Sequence, residues 1–311
     1  MTNAAPDENG AVALTGATGF VGRALLDRFL EGGRPVRCLV RNPSGFEAES
    51  PARVITGDLD NQSALDELVA GAETVVHCAA ALGGMARGDL HRINVIGTAR
   101  LARAAQKAGV RRFILASSLA AREPGLSDYA ATKRAAEQAA RNAGDRMQVV
   151  TLRLPAIYGP GDRNTAPLMQ AMQMGLLPEP GRDARFSLLY VDDAADALAA
   201  AVGASGDPSG VYEVSGGGEA CSWRSLAAAA SRVCGRRVRL VATPRPVADL
   251  AADLSGFTAR MTGRPSIFTR GKVRELFHPD WTVSDDAYTR ATGWRAGMSL
   301  ERGLTRTLET L

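Results

Sequence analysis

The chain reads as an α/β protein: a doubly wound parallel sheet with a smaller, mostly helical C-terminal cap. Three observations predict this. A short apolar run, Ala11-Val12-Ala13-Leu14, is followed at once by glycines at 16, 19 and 22 and then by a segment of helical spacing. Short apolar runs then recur up to Leu154, separated by helix-length segments, the pattern of strands joined by crossover helices. Beyond about residue 220 strand-like runs become rare and helix-length segments dominate. With 311 residues there is room for one large or two small domains.

The first run is short enough for a buried strand. The segment Arg23-Ala24-Leu25-Leu26-Asp27-Arg28-Phe29-Leu30 has its apolar residues at helical spacing and stops at Gly32-Gly33. Gly16, Gly19 and Gly22 therefore lie in a strand-to-helix turn, where a missing Cβ lets the backbone turn sharply and approach a ligand. The N–H groups and dipole at the helix start favour an anion such as a pyrophosphate. This makes Gly16, Thr18, Gly19, Phe20, Val21 and Gly22 the candidate phosphate-binding loop of a dinucleotide site.

Pro35 to Val40 reads as the second strand. A dinucleotide fold places an acid near its end, to hold the adenosine ribose. Here Arg41-Asn42 stands in that place. An arginine there can pair with a 2′-phosphate, so NADP(H) is preferred, with NAD(H) possible. Arg53 to Thr56 is a third short strand, followed by Gly57-Asp58-Leu59, where Asp58 also suits a helix N-cap. Glu73 to Ala80 is a fourth strand and its exit, with His77 expected as a packed strand-end residue. A helix follows over roughly Leu90 to Gly109.

Arg111 to Ser118 is a fifth strand, ending in the pair Ser117-Ser118 at the edge where doubly wound sheets bind ligands. The next helix carries Tyr129 and Lys133, and a spacing of four puts both on one face. The chain has 34 arginines but only three lysines, and five tyrosines. A Tyr-x-x-x-Lys pair would then arise by chance with odds of roughly one in twenty. An ammonium is a compact charge that can lower a phenol pKa and bond a ribose at the same time. Met147 to Leu154 is the sixth strand and runs into a Pro/Gly-rich turn, Pro155-Ala156-Ile157-Tyr158-Gly159-Pro160-Gly161-Asp162.

In the second half, Val211 to Gly217 reads as a strand and turn. Helices are expected around Ser222 to Cys234 and Val247 to Met261, with Trp281 and Trp294 in the tail. The expected division is a tail over 1–10, a dinucleotide-binding domain over 11–160 plus roughly 185–220, and a substrate-binding cap over 161–184 and 221–311.

Composition narrows the function. Basic and acidic residues nearly balance, at 37 against 33, for a net +4 without a basic tract, so a nucleic-acid partner is not expected. The four cysteines lack metal-ligand spacing and read as buried thiols of a cytoplasmic protein. No metal is expected. No apolar run is long enough to span a bilayer, and no membrane partner is expected.

The segment Thr15-Gly16-Ala17-Thr18-Gly19-Phe20-Val21-Gly22, with Tyr129-Ala130-Ala131-Thr132-Lys133, resembles the extended short-chain dehydrogenase/reductase superfamily, whose members include NAD-dependent epimerases and dehydratases. The resemblance covers roughly residues 11 to 220 and implies a Rossmann fold. It also implies that Asp58 and Leu59 cap the adenine, that Ala79 and Ala80 lie against the ribose, and that Asn94 supports the site from behind. It makes Tyr129 the general acid/base, Lys133 its tuning cation and Ser118 a hydrogen-bond donor to the reacting oxygen, with Ser117 as backup. Pro155, Ala156 and Ile157 would line the nicotinamide end. Arg185 to Asp193 is similar to another stretch of the superfamily, which implies a short strand entering a helix capped by Asp192-Asp193. Two departures stand out: Leu154 replaces a usual proline, and Ala120-Ala121-Arg122 replaces a usual Val-Tyr-Gly.

The implied activity is hydride transfer between NADP(H) and a small-molecule ketone or secondary alcohol, as in the similar dihydroflavonol reductases and 3β-hydroxysteroid dehydrogenases. Alternatives are a nucleotide-sugar epimerase or dehydratase that retains its cofactor, and a non-catalytic cofactor-binding sensor or assembly subunit. Relatives also suggest a homodimer through the helices flanking Tyr129. Arg185, Arg264, Arg270 and Lys272 are candidates to face an anionic substrate.

Overall fold

The computed structural model describes residues 10–44, 46, 52–144, 146–218, 220–263 and 266–311. Most of the expected tail, residues 1–9, and Arg264 lie outside these. In chain order the first half comprises β1 (Ala11–Thr15), α1 (Phe20–Glu31), β2 (Val36–Val40), β3 (Ala52–Thr56), α2 (Gln62–Val69), β4 (Ala72–His77), α3 (Arg87–His91), α4 (Thr98–Lys107), β5 (Arg112–Ser118), α5 (Asp128–Arg141) and β6 (Gln148–Leu154). The second half comprises β7 (Ala156–Tyr158), α6 (Ala166–Gln173), β8 (Leu176–Glu179), β9 (Arg185–Phe186), β10 (Leu188–Tyr190), α7 (Val191–Gly203), β11 (Gly210–Glu213), β12 (Cys221–Ser222), α8 (Trp223–Val233) and β13 (Arg239–Ala242). It ends with α9 (Arg245–Thr262), α10 (Arg270–Leu276), β14 (Asp280–Trp281), α11 (Asp286–Thr292) and α12 (Leu300–Leu308).

Seven strands form one sheet in the order β3-β2-β1-β4-β5-β6-β11, every neighbour parallel. The strand order reverses between β1 and β4, which opens a crevice at their C-terminal ends. Alternate residues serve opposite faces. Val12, Leu14, Val76, Ile114 and Val150 join Leu25, Leu26 and Phe29 of α1 and Leu198 of α7 in one core. Ala13, Val75, Phe113, Leu115 and Val149 join Leu65, Leu68, Leu101 and Ala140 in the other. Both faces are covered, which is why the strands read as unbroken apolar runs rather than alternating ones.

The cap has its own core around Met169, Met172, Leu177, Trp223, Leu226, Leu304 and Leu308. The tail does not all belong to it. Tyr288 and Trp294 pack into the first core beneath the large sheet, and the Tyr288 hydroxyl donates to the Ala197 carbonyl at 2.5 Å. Two expected details differ. Between α3 and α4 the backbone makes a π-helical turn over Arg92–Gly97. Asp193 does not cap its own helix; its carboxylate accepts from the N–H groups of Gly297 at 2.9 Å and Met298 at 3.0 Å, tying the C-terminal segment to α7.

Arg112, at the start of β5, is fully buried. Its guanidinium donates to the carbonyls of Ala201 at 2.8 Å, Val202 at 3.0 Å and Ala204 at 3.0 Å. These are orphan acceptors at the C-terminal end of α7, where a cation is also favoured by the helix dipole. Arg112→Ala is expected to destabilise the fold by about 3 kcal/mol, because several buried acceptors lose their donor at once. A denaturant midpoint unchanged by that substitution would contradict this role.

Candidate active site

The first loop is closed by backbone contacts that exclude side chains. Gly16 has φ +77°. A Cβ on it would lie 2.6 Å from the Ala79 nitrogen, and one on Gly22 only 2.0 Å from the Gly16 carbonyl oxygen. The exits of β1 and β4 and the start of α1 therefore meet too closely for any other residue. Gly19 is the N-cap of α1, with no side chain capping the helix and no acidic residue in its first turn. Uncapped N–H groups at a helix start fit an anionic pyrophosphate. Thr18 and Gly19 are exposed, Phe20 and Val21 half-buried.

Beyond the loop lies a hollow of about 620 Å³, lined by Thr18, Arg23, Arg41, Asn42, Ser44 and Phe46. Arg41 is where the sequence placed it. Arg23 joins it from the first turn of α1; its position one residue past Gly22 was the available signal. Among the described residues no carboxylate lines the hollow. Asp58 sits at the end of β3 and is exposed. Its Oδ1 accepts from the Asp60 N–H at 2.9 Å, and the N-cap of α2 is Asn61 instead. Leu59 is buried in the second core.

Behind the crevice, His77 and Asn94 hold the frame. His77 bridges Thr15 Oγ1 at 2.6 Å and Thr98 Oγ1 at 2.9 Å. Thr98 spends its hydroxyl proton on the Asn94 carbonyl, so Nε2 of His77 is the protonated nitrogen. Burial, aided by the Lys133 charge, pushes His77 down to about 3, so it stays neutral. Asn94 accepts from the Ala81 N–H at 2.7 Å and donates to the Ala81 carbonyl at 3.0 Å and to Thr132 Oγ1 at 3.1 Å. Its amide thus ties the β4 exit, which includes the half-buried Ala79 and Ala80, to α5. It does so from the π-helical turn, a geometry found often at functional sites.

The two serines separate. Ser117 is buried and donates to Glu137 Oε1 at 2.7 Å. Ser118 is half-buried, and its Oγ accepts from the Ala120 N–H at 3.2 Å. The Tyr129 phenol reaches Ser118. Burial pushes that phenol up to about 12; the hydrogen bond with Ser118 opposes the rise and the Glu275 carboxylate adds to it. Lys133 is buried and donates to the Ala116 carbonyl at 2.7 Å. Burial pulls its ammonium down to about 8, against the pull of Cys78 and Glu137. Lys133 is not among the groups that move the phenol, because its ammonium is turned to the end of β5.

Tyr129, Lys133 and Glu137 follow one another at spacings of four along α5. Glu137, wholly buried, receives both Nε and Nη2 of Arg153 at 2.9 Å. Arg153 also reaches Glu213 at 3.2 Å. Sequence reading missed this network, since one charge on each of three separate elements leaves no local pattern. Pro155 is buried, Ile157 half-buried and Ala156 exposed at the far wall, where β7 pairs with β10. Among the described residues no cluster suits a metal, and all four cysteines are free thiols.

The model of the family described as NAD dependent epimerase/dehydratase matches residues 12–215. The chain belongs to that family. Along its whole length it is similar to the ceramide reductase of Caulobacter vibrioides, with 40% identity over 309 residues, 98% of this chain and 95% of the relative. It is also similar to the 2-alkyl-3-oxoalkanoate reductase of Stenotrophomonas maltophilia, with 29% identity over 95% of this chain and 97% of the relative. Among solved structures, the UDP-glucuronic acid 4-epimerase from Bacillus cereus in complex with NAD shares the fold at a TM-score of 0.75 and 19% identity, covering 96% of this chain and 98% of that one. MoeE5 in complex with UDP-glucuronic acid and NAD does so at 0.75 and 24%, with coverage of 96% and 98%. This family member is an NAD(P)-dependent enzyme, and the glycine loop and hollow fit that cofactor.

In this epimerase/dehydratase family member Arg122 and Glu275 tie the C-terminal region to the segment between β5 and α5. Arg122, in the segment that departs from the family pattern, donates to the carbonyls of Thr282 at 2.9 Å and Asp280 at 2.8 Å and lies over the Trp281 ring at 5.5 Å. Glu275 of α10, buried, accepts from Ser127 Oγ at 2.5 Å and from Lys272 Nζ at 3.1 Å. Ser127 is itself the N-cap of α5, accepting from the Ala130 N–H at 3.0 Å. Lys272 is thus engaged by Glu275, and Arg270 by Asp253 at 2.5 and 2.7 Å. Of the residues suggested for an anionic substrate, Arg185 is exposed, and Arg270 and Lys272 are each held in an ion pair.

Proposed function

We propose that the protein is an NADP(H)-dependent reductase of a ketone, and that Ser118, Tyr129 and Lys133 carry the reaction. The observation that carries this reading is the meeting of three side chains at the end of β5: the Tyr129 phenol lies beside Ser118, and Lys133, one turn on, donates to the Ala116 carbonyl at 2.7 Å. A protonated phenol beside a serine is what the reducing direction needs, since the carbonyl oxygen must gain a proton as it becomes an alcohol. The nicotinamide, when bound, supplies the hydride. Ser118 Oγ already accepts from the Ala120 N–H, which leaves its own proton to polarise the carbonyl. Lys133 keeps two ammonium protons beyond the one given to Ala116, enough for the cofactor's ribose hydroxyls.

Whole-length similarity to a ceramide reductase supports a lipid ketone as the substrate class. The ketone form of an N-acylated long-chain amino alcohol is the compound to try first. Oxidation of NADPH on its addition, with the alcohol as product, is the expected result. If no ketone is reduced and denatured protein releases a stoichiometric cofactor, a cofactor-retaining epimerase is the better reading.

Support for NADP(H) comes from the two arginines, Arg23 and Arg41, that line the hollow. A charge-assisted contact to the 2′-phosphate should make NADPH bind roughly tenfold or more tighter than NADH. Arg23→Ala with Arg41→Ala should erase most of that difference in a fluorescence titration. Equal affinities in the unaltered protein would remove the preference.

A further inference from the structure

Helix α9 presents an apolar face to solvent. Val247, Leu250, Leu254, Phe257 and Met261 follow one another at spacings of three and four, and each is 56–74% exposed. They are five of the eleven large apolar side chains exposed among the described residues. The opposite face is used: Ala248 and Ala252 pack with Val273 of α10. An apolar stripe of this size on one helix marks a contact surface.

The helix borders the crevice on two sides. Through α10 it meets the start of α5, where Gly271 packs so closely that a Cβ would lie 2.8 Å from the Ser127 Cβ. Through Ser266, bonded to Ser255 of α9 at 2.5 Å, it meets the β4 exit loop, where a Cβ on Gly84 would lie 1.9 Å from the Ser266 oxygen. The surrounding sequence is basic. Residues 236–276 hold eight arginines and Lys272 against Asp249, Asp253 and Glu275, a net +6, whereas the whole chain carries +4. Arg236, Arg237, Arg239, Arg245 and Arg260 are exposed.

We propose that the apolar face of α9 docks into the headgroup region of an anionic lipid bilayer, placing the crevice beside the membrane from which the substrate is drawn. The inference rests on the lipid-ketone reading above. A two-chain lipid leaves a bilayer at a large cost per buried methylene, so an enzyme must meet it at the surface. The charge decides between occupants. An apolar stripe set in a basic segment complements anionic headgroups, whereas a second copy would bring two such segments together. No described helix is long and apolar enough to cross a membrane, so α9 lies on the surface rather than spanning it.

Flotation of the full chain with vesicles tests the proposal. Binding is expected to vesicles of equal parts phosphatidylglycerol and phosphatidylcholine, weakened by salt and by omitting the phosphatidylglycerol. Leu254→Ser with Phe257→Ser should weaken that binding by roughly tenfold or more. The melting temperature and NADPH affinity of the variant should stay unchanged, since both side chains are exposed. The proposal is overturned if the unaltered chain does not float, if the variant floats equally well, or if the substitutions only convert a dimer to monomer. Vesicle binding with no ketone reduced would instead sink the functional reading and leave the docking surface standing.

Discussion

Tyr129→Phe should keep NADPH binding and lose roughly 10²- to 10⁴-fold in kcat, the range for removing a positioned general acid. The substitution deletes one hydroxyl from a half-buried ring, so the fold has little to lose. On the proposed mechanism what is lost is the proton for the carbonyl oxygen, which Ser118, keeping its own contact with the Ala120 N–H, would not replace. Single-turnover rates with saturating NADPH separate this from a binding defect. A Phe variant with full turnover would end the mechanism. The pH dependence has a stated sign. The phenol, near 12, holds its proton through the neutral range, while Lys133, near 8, loses its charge first. Reduction should therefore decline as pH rises through about 8, before the phenol ionises. Stability moves the other way over that window. Lys133 is depressed from its ordinary 10.5, so the unfolded chain binds the extra proton between the two values and the folded state gains as pH rises from 8 to 10.5. Tyr129 reverses this above 10, where the unfolded phenol ionises first.

Glu137→Ala is the second large effect expected. The carboxylate is fully buried and receives Arg153 through two bonds, Ser117 through a third, and Arg134 at 3.5 Å. Removing one member of such a pair strands the other charge in the interior, at about 3–5 kcal/mol. A fall in melting temperature on the order of 10 °C follows. The effect should extend to the chemistry, because Glu137 lies two turns from Tyr129 on α5 and helps set that helix against β5 and β6. Glu137→Gln, which keeps the shape and part of the hydrogen bonding, should recover some stability. An alanine variant that melts with the unaltered protein would show that the network contributes nothing.

The strands and the glycine loop were legible because both follow from local rules. Strands buried on two faces need unbroken apolar runs, and a loop meeting two neighbouring backbones needs glycine at 16 and 22. Tyr129 and Lys133 were legible because a helix makes a spacing of four into one face. What escaped was carried by single residues far apart in sequence. Arg112 serves carbonyls some ninety positions away, and Glu275 reaches Ser127 from the end of another helix. The π-helical turn around Asn94 also has no compositional mark. Tyr288 and Trp294, read as part of the cap, fill the first core because an aromatic residue in a helical tail does not say which layer it enters.

Ser127 has one hydroxyl and two obligations: its oxygen steadies the first turn of α5 and its proton goes to Glu275. Any outward swing of the C-terminal region must break the second bond within reach of the first. The first turn of α5, which carries Tyr129, thus rests on a side chain whose other partner belongs to the C-terminal region.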